Sequence, residues 1–134
     1  IRVPAGDRAL YHASAYYVGP FLIALLAEAV AQWKKFGASE SQALHALFPL
    51  LQGTVSAVTD AGLAGGMGGC VARGDVGTVR KHLVALGDFS PEAAKLYRTL
   101  AERTIPLGSE RKTLTSERAH EIARCLSLGG RVQS

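Results

Sequence analysis

Residues 7–33 read DRALYHASAYYVGPFLIALLAEAVAQW, from Asp7 to Trp33, and carry no formal charge between Arg8 and Glu28. Apolar side chains fall on every side of a helical wheel drawn through this run. A helix apolar all round has to be covered all round, whether by a bilayer, by the rest of the chain or by a second copy of it. The run approaches the roughly 20 residues that a membrane span needs. Against a span stand His12 and Ser14 near one end, Gly19-Pro20 in the middle, several small alanines, and no flanking basic cluster to set an orientation. A secretory signal fits poorly because Asp7 precedes the run and no small-residue cleavage site follows it. The expectation is a central helix of a cytoplasmic protein, shared with a partner subunit and not with a membrane.

Outward from this run, the pattern stays helical. The first helix is expected from Asp7, as N-cap, to Phe36-Gly37, where glycine suits a left-handed C-terminal cap. Pro20 removes one backbone bond and crowds the Tyr16 carbonyl, so a kink or a division into two segments is expected at Gly19-Pro20. Ser39 followed three residues later by Gln42 is a capping-box pattern. It opens a second helix expected from Glu40 through Val58, with Pro49 inside it. Two long helices joined by a short turn predict an antiparallel pair. The helical pattern then dissolves in AGLAGGMGGCVARGD, residues 61–75, where five glycines lie from Gly62 to Gly69.

Asp75 is expected to cap a third helix from Val76 to Leu86, with Val76, Val79, Leu83 and Leu86 on one side. Ser90-Pro91 with Glu92 behind it starts a fourth, which is expected to turn Ala93, Ala94, Leu96, Tyr97, Leu100 and Ala101 inward and to end before Pro106. A polar linker, GSERKTLTS, leads to a fifth helix from Ser116 to Leu126 that closes at Gly129-Gly130. No strand-period alternation persists, so the expected fold is all-α: five helices built on the long antiparallel pair, in one domain spanning residues 1–134.

The chain has 134 residues, 48% of them hydrophobic and 19% charged, with a net charge of +4. Those values exclude a disordered or fibrous chain. Residues 1–72 hold four basic side chains against four acidic, and residues 73–134 hold eleven against seven. The basic half would suit a nucleic acid or an anionic ligand, but its charges are interspersed, as on a solvated mixed surface. Cys70 and Cys125 have neither metal-ligand nor disulfide-framework spacing, and free thiols fit a reducing compartment. The chain begins at Ile1, and IRVPAG reads like the end of a strand and a turn, so a fragment of a longer protein is expected.

Two places carry candidate chemistry. His12, beside Tyr11 and Ser14 near the start of the first helix, is suited to hold a substrate oxygen or to transfer a proton; the plainer alternative is a core histidine satisfied by a carbonyl. Gly65 to Gly69, followed by Arg73-Gly74-Asp75 and a helix, has the outline of an anion site with flexible amides, a guanidinium and a helix N-terminus. Its spacing matches neither nucleotide-binding fingerprint. The alternative there is a connection in which Asp75 caps the next helix and pairs with Arg73. Asp75, Thr78 and His82, spaced i, i+3 and i+7, share a face that either orients a ligand or is simply solvated. His45 and His120 have no partner pattern. No metal-binding cluster is visible, nor a recognition helix for nucleic acid.

Three segments, ALYHASAYYVGPFLIALL, LFPLLQGTV and CVARGDVGTVRKHL, together resemble a domain of unknown function: the C-terminal helical domain of NAD(P)-dependent oxidoreductases related to pyrroline-5-carboxylate reductase and the 6-phosphogluconate dehydrogenase superfamily. The resemblance covers roughly residues 7–107, and its best marks are Tyr11-His12-Ala13 and Arg73-Gly74-Asp75 with Thr78 and His82. It implies an upstream Rossmann domain that binds NAD or NADP, while this domain supplies homodimer contacts through the first helix and one wall of the cleft for a small-molecule substrate. It implies His12 as the catalytic proton donor or substrate anchor. Ser14, Arg73, Gly74, Asp75, Thr78 and His82 are the implied substrate-binding set, with Arg73 as anion contact. Gly19-Pro20 stands where relatives show Ser-Asn, and Gly68-Gly69-Cys70 where they show Thr-Gly-Pro, so polar groups expected in the cleft are missing. The rival expectations are a non-catalytic helical oligomerisation module, whose dimer would not depend on His12, and a basic nucleic-acid-binding domain, whose affinity would fall steeply with salt.

Overall fold

The computed structural model describes residues 1–127, and no strand occurs among them. A single 3-10 turn, Ala5–Asp7, precedes α1 (Arg8–Val18), α2 (Pro20–Lys35), α3 (Glu40–Gly66), α4 (Gly69–Ala72), α5 (Val76–Phe89), α6 (Pro91–Glu110) and α7 (Ser116–Ser127). The all-α class is therefore as expected. Five expected helices become seven among the described residues because the first is divided and α4 adds one helical turn. The expected closure of the last helix at Gly129-Gly130 lies outside the described residues. The chain forms two compact units, Ile1–Pro49 and Leu50–Ser134.

In the first unit the division at Gly19 follows from its backbone, φ −116° and ψ −98°, which leaves the helical region and puts Pro20 in the first turn of α2. Proline is tolerated at that place because the first amides of a helix have no intrahelical acceptor. The Ile23 amide donates to the Gly19 carbonyl at 3.1 Å and so starts the new ladder. Asp7 does not act as the expected side-chain cap; its backbone lies at φ −100° and ψ 6° and its carboxylate accepts no capping bond. The end of α2 is closed by a Schellman motif, in which Gly37 (φ +85°) donates to Lys34 at 3.0 Å and Ala38 to Trp33 at 3.3 Å. The capping box then starts α3: the Ser39 amide donates to Gln42 Oε1 at 2.8 Å and the Gln42 amide to Ser39 Oγ at 3.2 Å.

Burial in this unit is sparse. Val30 and Ala43 are the buried apolar side chains on α2 and α3, while Leu10, Val18 and Ile23 are 72%, 77% and 67% exposed. Tyr11, Tyr16, Tyr17, Phe21 and Leu25 are exposed as well. By length and composition Ala5–Lys35 is apolar enough to cross a membrane.

The second unit holds the core. Cys70 and Val71 from α4, Val76, Val79 and Leu83 from α5, Ala101 from α6, Leu114 from the following loop, and Ile122 and Leu126 from α7 form one buried cluster. On α5 the buried side chains recur at i, i+3 and i+7, which places them on one helical face. The N-termini of α5, α6 and α7 are each capped by a side chain. Asp75 accepts from the Thr78 amide at 3.0 Å, Ser90 from Ala93 at 3.3 Å, and Thr115 from Arg118 at 3.3 Å.

Three sequence expectations need correction here. The second long helix does not stop at Val58 but reaches Gly66, interrupted at Gly62, whose φ of +74° and ψ of −178° lie outside the helical region. The fourth does not end before Pro106 but continues to Glu110. Proline's fixed φ is itself helical, so the cost is one backbone bond and some crowding. The last turn is held from outside by Leu114, which donates to the Gly108 carbonyl at 3.3 Å, and by the Arg111 guanidinium, which donates to the Met67 carbonyl. Finally, Leu96 and Leu100 do not turn inward; both are exposed, and the buried positions of α6 are Ala93, Ala94, Ala101 and Gly108. Small residues occupy that stripe because the neighbouring backbone is close. A methyl at Gly108 would come within 3.2 Å of the Ala72 Cα and 3.3 Å of the Leu114 side chain.

Candidate functional site

The residues singled out in the sequence fall into both units. In the first, His12 is exposed on α1, and its ring meets Tyr11 edge-on at a centroid distance of 5.4 Å. It is therefore not a core histidine. The Ser14 hydroxyl donates to the Tyr11 carbonyl at 2.7 Å, so that proton is committed to its own helix.

In the second unit, α4 ends by the same device as α2. Gly74, at φ +68°, donates to Val71 at 3.0 Å and Asp75 to Cys70 at 2.9 Å, while the Arg73 and Val76 amides go to Gly69 and Gly74. Glycine is required at position 74 twice over, since a Cβ there would also lie 3.0 Å from the Arg118 Cβ. These bonds engage the amides of residues 73–76, and the Thr78 amide at the start of α5 goes to Asp75. The Arg73 side chain is exposed beside this turn.

Asp75 accepts from the Thr78 amide through Oδ1 and from the Thr78 hydroxyl at 2.7 Å through Oδ2. The amide contact first, then the hydroxyl, with smaller help from Arg73 and Lys81, holds the carboxyl below its ordinary value against a small opposing cost of desolvation. Asp75 and Thr78 thus serve each other, and the cap explains their spacing.

His82 is drawn into a different group. Its Nδ1 lies 3.0 Å from the Tyr97 hydroxyl and 3.9 Å from the Cys70 sulfur, and the Tyr97 hydroxyl is 3.8 Å from the same sulfur. The imidazole and phenol rings meet edge-on, at 5.7 Å between centroids and 88° between planes. Burial, then the neighbouring Cys70, with a smaller effect of Cys125, pushes the Tyr97 phenol far up from its ordinary value. It is therefore a neutral hydrogen-bond donor or acceptor throughout the physiological range. The cysteine sits on α4, the histidine on α5 and the tyrosine on α6, with Cys125 of α7 packed against the same cluster.

Sequence reading reached His82 but not its partners. Cys70 and Tyr97 each carry an ordinary apolar explanation, as a small buried residue and as part of an inward stripe. Elsewhere, His120 bonds the Ser116 carbonyl of its own helix through Nδ1 at 2.7 Å, and His45 is exposed. No group of three or more histidine, cysteine, aspartate or glutamate side chains able to hold a metal occurs among the described residues. Compared with known proteins, residues 1–104 match the family model described as Domain of unknown function (DUF2520). No curated protein and no solved structure matches the chain.

Proposed function

As the chain belongs to the DUF2520 family of domains of unknown function, we propose that it is the helical dimerisation and substrate-cleft domain of a cytoplasmic NAD(P)-dependent oxidoreductase. In this reading the dinucleotide is held mainly by a Rossmann-type domain elsewhere in the protein, and no residue of this chain is assigned to grip it. The observation that carries the reading is the uncovered apolar surface of α1 and α2, where Leu10, Tyr17, Val18 and Ile23 are all largely exposed. A surface of that composition calls for a partner, and a second copy of the chain is the partner that symmetry supplies most directly.

The cofactor supplies the hydride, and this chain handles charge and protons around it. Arg73, exposed beside the Gly74 turn, makes a charge-assisted contact to a substrate carboxylate or similar anion. His12, exposed on α1, gives or takes a proton at the reduced atom. Asp75 and Thr78 keep the Arg73 turn in place without touching substrate, and Gly74 allows the backbone to make it.

The test uses the intact protein together with whatever precedes Ile1 in its reading frame. Saturable quenching of NADPH or NADH fluorescence is expected, with a mass twice that of one chain by light scattering, and Arg73→Ala should lower turnover of small carboxylate-bearing carbonyl or imine substrates while nucleotide binding persists. Intact protein that binds neither dinucleotide would overturn the oxidoreductase reading. The same apolar surface favours one alternative, a non-catalytic oligomerisation module. That alternative is the answer if the dimer forms, the dinucleotides do not bind, and His12→Ala alters nothing measurable.

A further inference from the structure

The Cys70, His82 and Tyr97 group has no part in the proposed reduction, and its geometry has a use of its own. Three helices bring a thiol, an imidazole and a phenol within 3.0 to 3.9 Å of one another. The sulfur lies at the buried edge of the group and His82 at its exposed edge. Next to Cys70 in the chain, Gly68 and Gly69 carry no side chain, and a methyl added at either would meet nothing within 4 Å. A small molecule meets the group from its exposed edge, at His82.

We propose that Cys70, with His82 as its proton acceptor and Tyr97 as a hydrogen-bond donor, is a thiol site for soft carbon electrophiles of the α,β-unsaturated carbonyl class. The thiol proton moves to His82 Nδ1, and the sulfur forms a bond to the β-carbon of the electrophile. The carbon–carbon double bond gives its electron pair to the α-carbon, which takes the proton back from the imidazolium. The net change is addition of S–H across the double bond. No leaving group departs and no oxidant or reductant is consumed, so the group of three suffices. Tyr97 stays protonated and donates to whichever of the sulfur and the imidazole nitrogen carries the lone pair. Cys125, on α7 against the same cluster and also a free thiol, has no imidazole contact among the hydrogen bonds of the described residues and serves as an internal reference.

The test treats the full chain at neutral pH with limiting trans-2-pentenal and, separately, with iodoacetamide, and follows modification of each cysteine by peptide mass spectrometry. Cys70 is expected to react first with both, although it is the more buried of the two thiols. Removing the proton acceptor in His82→Gln should slow Cys70 by roughly tenfold or more, the lower end of what a positioned base contributes, and leave Cys125 unchanged. Tyr97→Phe keeps the ring and removes the hydroxyl, and should slow Cys70 by a smaller factor. Circular dichroism and a cooperative melt check that each variant is folded. The proposal is overturned if Cys125 reacts as fast as Cys70, or if folded His82→Gln protein is modified at Cys70 at the wild-type rate. Both results are independent of whether the protein binds a dinucleotide.

Discussion

Asp75 joins two structures in one residue: its backbone amide closes the end of α4 and its carboxylate opens α5. Because its folded pKa is depressed, the stability it adds is present in full above the unfolded value, near 3.8, and is lost as pH falls through the folded value. Asp75→Asn, which keeps a capping oxygen and removes the charge, should thus lower the melting temperature slightly near pH 6. The gap between variant and wild type should close below pH 3.8, and a gap that stays constant from pH 6 to pH 2.5 would show that the charge is irrelevant. Gly74→Ala tests the neighbouring residue. Positive φ and the approach to Arg118 act together, and a loss of about 1–3 kcal/mol is expected by urea unfolding. Devices of this size are legible in a sequence because they are local: Ser39 with Gln42, Asp75 ahead of Val76 and Ser90 ahead of Pro91 each declare themselves within three positions. The Cys70, His82 and Tyr97 group is illegible for the opposite reason. Its members lie 12, 15 and 27 residues apart in pairs, on three helices whose relative rotation no spacing rule supplies.

Among the helices, burial does not follow length: α3, with 27 residues, buries only Ala43. α7 has only twelve residues, yet Ile122 and Leu126, one turn apart, are among the most completely buried side chains described. Ile122→Ala should cost about 2–5 kcal/mol, the usual range for emptying a filled core position. A measured loss under 1 kcal/mol would mean that α7 docks far more loosely than its burial implies. Hydrophobic periodicity predicted the buried face of α5 well, because Val76, Val79 and Leu83 are large and recur on one side, and the polar linker before Ser116 located α7. Periodicity failed on α6, where the inward stripe is alanine and glycine while Leu96 and Leu100 face out. Side-chain size misled there: close helix approach selects small residues, and Gly108 marks the closest point. Pro106 misled in the same helix because a helix stop was inferred from chemistry that costs one bond, whereas the packing of Leu114 against Gly108 holds the turn beyond it.

For the molecule as a whole, exposed apolar surface and buried core are unevenly shared: among the described residues, all the buried apolar side chains except Val30 and Ala43 lie in the second unit. The charge-free run from Arg8 to Glu28 announced that α1 and α2 would need a cover, and no sequence rule says what the cover is. If it is a second copy, Ile23→Asp removes two buried side chains per dimer at about 1.5–3 kcal/mol each, so the dissociation constant should rise on the order of 100-fold or more. Sedimentation across a concentration series reads this directly. A wild-type chain that stays monomeric in solution and floats with lipid vesicles would give the cover to a bilayer and sink the dimer. The way the second unit is strung together has a kinetic consequence. Three residues, Arg73 to Asp75, separate α4 from α5, Ser90 alone separates α5 from α6, and five residues separate α6 from α7. Closing such short loops costs little chain entropy, and chains dominated by contacts between sequence neighbours fold fastest. Stopped-flow dilution from urea should therefore find helix and core signals recovering together within about 10 ms, so that this half of the protein is formed long before an encounter with any partner at cellular concentration.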